Sequence, residues 1–117
     1  MPQVFSYKVK YYGGGRGNRH PYRAMITFHG TRESPDSRAT TGAAIFYRDP
    51  ATMPTEDTQS EAGFITCNLS WEDFSSVLDL LRNEGPVWVG YSDETRMAWL
   101  ETQEESVGEG EDGAPDG

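Results

Sequence analysis

The stretch Gly13-Gly14-Gly15-Arg16-Gly17-Asn18-Arg19-His20-Pro21 has the residue types best suited to holding an anion. Glycines let backbone N–H groups close on a charged ligand, and successive amides can form a concave anion site. Arg16 and Arg19 can grip a phosphate with two parallel hydrogen bonds each. Tyr7, Tyr11, Tyr12 and Tyr22 flank the stretch, with Lys8, Lys10 and Arg23 among them. Single-stranded nucleic-acid binders use this mixture, aromatics to stack bases and cations to track the backbone. An anion or single-stranded nucleic-acid site built from Lys8, Lys10, Tyr11, Tyr12, Arg16, Arg19 and Arg23 is therefore one expectation. The phosphate-loop motif is absent, since no Gly-Lys-Ser/Thr follows and no helix begins there. The dinucleotide motif fails too, because Gly13, Gly15 and Gly17 are two apart and a strand pattern comes next. The competing explanation is a hairpin tip that its arginines keep soluble, with Lys8, Lys10 and Arg23 on a solvated sheet face or edge.

Tryptophan offers a second kind of chemistry. Trp88 alternates with Val87 and Val89, so it points away from them. If the valines are core, Trp88 stands on the face that no helix covers. Tryptophan and tyrosine are enriched where proteins bind one another. Trp88 and Tyr91 are thus the expected protein contacts, with the 49–62 loop beside them. The alternative places Trp88 against the sheet's own loops.

Catalytic sets are thin. His20 and His29 are the histidines, and neither accompanies a nucleophile motif. His29 ends a strand on its polar side. Cys67 alternates with Ile65 and Leu69 and reads as core. Two histidines and one cysteine without ligand spacing imply no metal site, and no cofactor motif appears. Glu72 and Asp73 are explained by helix capping rather than acid–base work. An enzyme is the outside reading.

These residues need elements to hold them. Residues 3–12 alternate, with Phe5, Tyr7, Val9 and Tyr11 on one face and Ser6, Lys8 and Lys10 on the other. Residues 22–29 repeat the pattern, with Tyr22, Ala24, Ile26 and Phe28 on one face and Arg23, Met25, Thr27 and His29 on the other. The glycine-rich segment 13–21 makes these two a hairpin. A turn-rich connection leads to strand 41–48, then the loop 49–62, then strand 63–69. Ser70 is a good N-cap for a helix over 71–83, with acids at Glu72 and Asp73 favoured by its dipole. Leu69 and Phe74 fit a hydrophobic staple. Phe74, Val77, Leu78 and Leu81 form its apolar stripe, and Gly85-Pro86 stops it. Strands 86–92 and 95–100 form a second hairpin. The order ββββαββ predicts one α+β domain, a curved antiparallel sheet of about six strands with the helix on one face. A partly closed barrel is the alternative.

The chain has 117 residues and a net charge of −9. The charge is split: +6 over residues 1–32, −8 over 33–100 and −7 over 101–117. Residues 1–100 are therefore expected to fold and 101–117 to form a disordered acidic tail. The tail serves either as a solvating appendage or as a competitor for the basic hairpin. One cysteine excludes an intramolecular disulfide and fits a reducing cytoplasm. No apolar run is long enough to span a membrane, and Met1–Lys10 lacks a signal-peptide pattern. The triplet Asn68-Leu69-Ser70 matches a glycosylation acceptor by accident, because Ser70 is explained as a cap. The first functional expectation is a non-enzymatic interaction domain that meets a protein partner, or its own copy, through an exposed sheet face or edge.

Overall fold

The computed structural model describes residues 1–13, 21–30 and 40–107. Its strands are β1 (Gln3–Val4), β2 (Ser6–Tyr11), β3 (Tyr22–His29), β4 (Thr40–Tyr47), β5 (Thr58–Gln59) and β6 (Ile65–Ser70). A 3-10 turn over Trp71–Asp73 leads into α1 (Phe74–Asn83), followed by β7 (Val87–Ser92) and β8 (Met97–Thr102). The strands form two sheets, ordered β1-β7-β8 and β2-β3-β4-β6-β5. The protein is a small α+β domain, with eight strands in place of the expected six or so and two sheets in place of one.

Three local features account for the difference. The first strand breaks at Phe5. Its start pairs with β7, and its remainder pairs with β3. Phe5 N–H donates to His29 O at 2.8 Å while Ser6 is the register partner of the same His29. Two residues thus meet one, as in a bulge, and the alternation resets. Val4, Tyr7 and Val9 pack on the core, whereas Phe5, expected to face inward, is exposed. Second, β4 and β6 run parallel rather than antiparallel. Segment 48–64 joins them, and a connection longer than about a dozen residues has the reach to cross over. Third, the 49–62 loop is itself ordered: Asp49 caps a 3-10 turn over Pro50–Thr52, and β5 pairs with β6.

The core lies between the sheets and α1. Ala24, Ile26, Phe28, Ala44, Phe46 and Val89 are completely buried, joined by Phe74 and Leu81 from the helix. Phe46 meets Phe74 edge-on at 5.1 Å, a geometry aromatic quadrupoles favour. The Ser70 side chain accepts from Glu72 N–H at 3.3 Å, as a cap should. His29 is buried, although the unbroken β2–β3 register keeps it on the side opposite Phe28. The β3–β4 register shifts between Phe28 and His29, and the extra residue, Thr41, lies on β4.

At its far end, β8 continues two residues past the expected limit at Leu100. Residues 103–107 follow without regular structure. The last ten residues of the acidic tail lie outside the described residues. No helix among the described residues is long and apolar enough to cross a membrane.

Candidate functional site

The β7–β8 hairpin sets the site by register. Val87, Val89 and Tyr91 take the core side of β7, and Trp88 and Gly90 take the other. Pairing puts Glu101 opposite Trp88, Trp99 opposite Gly90 and Met97 opposite Ser92. Met97 is 58% exposed, Trp99 38% and Met1 63%. Trp88 is half-buried on the same face. Gly90 is what lets the patch form. A Cβ there would lie 2.6 Å from the Trp99 ring and 2.8 Å from the Met1 sulfur. The indole therefore lies directly over the glycine backbone. Trp99 Nε1–H donates to Glu101 Oε1 at 2.7 Å, which fixes the ring's outer edge. The result is an apolar face of two tryptophans and two methionines whose main ring is already held in place.

Tyr91 is half-buried and packs on the core, on the opposite side of β7 from Trp88. The expected contacts do not include Met1, Met97 or Trp99, although Met97 and Trp99 share one face of their strand in the sequence. The expected strands 86–92 and 95–100 would set Gly90 opposite Met97, and the observed turn over 93–96 sets it opposite Trp99.

The basic hairpin resolves into two groups. Lys8, Lys10 and Tyr12 share the outward face of the larger sheet with Tyr47, and the register shift between Tyr22 and Ala24 turns Tyr22 to that side, away from its expected place beside Ala24. Tyr12 meets Tyr22 at 5.7 Å, Tyr22 meets Tyr47 at 5.5 Å, and the Lys10 ammonium sits 5.5 Å from the Tyr12 ring. Tyr11 falls on the other face, where it meets Phe74 at 5.2 Å and Trp71 at 6.1 Å. Arg23 is engaged within the fold: it donates to Tyr12 O, and its guanidinium lies 5.6 Å from the Trp71 ring. Arg48 donates to Gly13 O at 3.0 Å. Arg16, Arg19 and His20 lie outside the described residues.

A third cluster centres on Asp57, to which no sequence pattern points. Asp57 Oδ1 accepts from Asn68 N–H at 2.7 Å and from Asn68 Nδ2 at 3.3 Å. Its Oδ2 accepts from Ala98 N–H at 2.8 Å, and its own N–H donates to Arg96 O at 3.0 Å. One carboxylate thus joins β6 to β8 where no strand ladder does. Tyr47 O–H donates to Asn68 Oδ1 at 3.1 Å and extends the network. Burial, and then Tyr22 and Asp57, push the Tyr47 hydroxyl's pKa upward. Burial, followed by the charge of Asp57, pushes the Cys67 thiol up to about 12.

A thiol held protonated is a poor nucleophile. Native Cys67 should resist iodoacetamide at pH 8, and the urea-unfolded chain should react at once, as read by mass spectrometry. Cys67 and Tyr47 both ionise more readily when unfolded. Stability is accordingly full below the ordinary thiol pKa and falls as pH rises from there toward 12.

No family model, curated protein or solved structure matches this chain.

Proposed function

We propose that this chain is a non-enzymatic protein-binding domain whose docking surface is the outer face of the three-stranded sheet. The observation that carries this is the exposed set Met97, Trp99 and Met1 beside Trp88. Contiguous exposed apolar area of this kind marks interaction sites, and large aromatics dominate binding energy. Because Trp99 is already held by Gly90 and Glu101, little side-chain entropy remains to be lost on binding.

Charge favours a different protein over a second copy. Glu101 stands on the face, Asp93 and Glu94 lie in its turn, and Glu104 and Glu105 follow it. Arg96, the one base from 83 to 117, sits 3.4 Å from the Glu56 carboxylate. Two copies meeting here would bring like charges together, so the partner carries Lys or Arg around an apolar centre. The basic hairpin supports an anion site less well, because Arg23 is engaged within the fold and Tyr11 turns away from Tyr12.

The test is affinity capture on the full chain, followed by titration of the purified captured protein. Trp99→Lys should weaken its binding at least tenfold, while Lys8→Glu should leave it unchanged. The opposite pattern would overturn the reading, as would a salt-sensitive complex with oligonucleotides alone. So would self-association through this face in sedimentation.

A further inference from the structure

The seam between β6 and β8 is closed by Asp57 at Asn68 and Ala98, and beyond those residues it opens. An open groove of about 340 Å³ lies there, walled by Leu69 of β6, Val77 and Leu80 of α1, and Trp99 and Leu100 of β8, over Cys67 and Ala98. Its lining is chiefly apolar side chains. The backbone beside it is unusual. Ala98 N–H and Arg96 O both point away from β7, toward Asp57. In a strand, alternate residues show their N–H and C=O to the same side. The N–H and C=O of Leu100 and Thr102 therefore face the seam. Among the described residues no backbone hydrogen bond takes them up, since β8 pairs with β7 alone.

An unpaired strand edge beside an apolar groove is the geometry of strand addition, in which main-chain bonds give affinity and a groove selects side chains. The net charge of the segments that flank the groove then selects the occupant. Residues 71–84 and 97–107 carry Glu72, Asp73, Asp79, Glu84, Glu101, Glu104 and Glu105 against Arg82 alone. We propose that the free edge of β8, with this groove, takes an extended basic segment of a partner protein as an added strand, an aliphatic side chain filling the groove. This rests on the reading of the chain as a protein-binding domain and uses a surface that adjoins the tryptophan face at Trp99.

The experiment titrates the labelled full-length protein with a short blocked peptide of alternating valine and lysine, followed by amide NMR shifts. Shifts should concentrate on Leu100, Thr102, Val77 and Leu80. N-methylating alternate peptide amides on the edge that pairs should weaken binding at least tenfold, and replacing lysine by glutamate should abolish it. Leu80→Lys, on the half-buried outer side of α1, should lose binding with an unchanged circular dichroism spectrum. Equal binding of the N-methylated peptide, or no binding by the parent peptide, would overturn strand addition. So would shifts confined to Met1, Trp88 and Met97, none of which lines the groove, and these would leave the tryptophan-face reading standing. Conversely, loss of the captured partner in Lys8→Glu but not Trp99→Lys overturns the tryptophan face and leaves the groove result unaffected.

Discussion

Asp57→Ala should lower the unfolding free energy by about 3 kcal/mol, with Thr58→Ala, its exposed neighbour, close to neutral. The size follows from what the carboxylate satisfies. It accepts backbone N–H groups from Asn68 and Ala98, which belong to different sheets, and the Asn68 side-chain amide. Hydrogen bonds to a carboxylate are each worth roughly 1.5–3 kcal/mol, and removing the acceptor leaves part-buried donors unsatisfied. Water can reach some of them, which keeps the loss well below the simple sum. For a domain of this size the melting temperature should fall by about 10–15 °C. Amide exchange should accelerate most at Asn68 and Ala98, and less at β3, whose ladders do not touch the bridge. Asp57→Asn should recover part of the loss, since its one carbonyl oxygen can serve either strand but not both. A melting curve for Asp57→Ala that matches the parent would show that the sheets are joined by core packing alone. The same substitution bears on function, because Asp57 fixes β8, the strand that carries Trp99 and the groove edge.

What could be read beforehand follows the range of the interactions. The Ser70 cap, the Phe74–Leu81 stripe and the inward row Ala24, Ile26, Phe28 depend on neighbours a few residues apart, and all three appear where the periodicity puts them. The outward position of Trp88 follows from the same rule. Phe5 defeated it, because a bulge resets an alternation that period-2 reasoning assumes unbroken, and His29 is buried although its alternation against β2 holds. The parallel β4–β6 pair was hidden for a different reason: apolar alternation says which face is inward and nothing about strand direction. Asp57 was hidden most completely. It sits in a polar loop among Glu56, Thr58 and Ser60, and only the three-dimensional path of 48–64 gives its carboxylate two strands to bind. Gly42 was similarly silent, a single glycine in a strand whose reason is the strand lying next to it.

Gly42→Ala should cost about 3 kcal/mol, toward the upper end of what overpacking costs. Gly42 is buried in β4 opposite Ile65, in the parallel pair. An added Cβ would run into the Ile65 carbonyl oxygen, with Ile65 C at 3.3 Å and Ile65 Cβ at 3.4 Å. The obstacle is backbone, so no side-chain rotation relieves it. Either β4 and β6 separate locally, giving up ladder bonds, or β4 shifts and drags Ala44 and Phe46 out of their packing. Both routes loosen Cys67, whose register partner is Ala44. Native alkylation of Cys67 should consequently rise along with the loss in urea stability, which ties the strain to this seam rather than to general destabilisation. Gly85→Ala is the matched control: its Cβ would meet nothing within 4 Å, so its effect should stay within about half a kcal/mol. If Gly42→Ala and Gly85→Ala melt alike, the close approach of β4 to Ile65 is wrong, and with it the parallel pairing that holds the two halves of the larger sheet together.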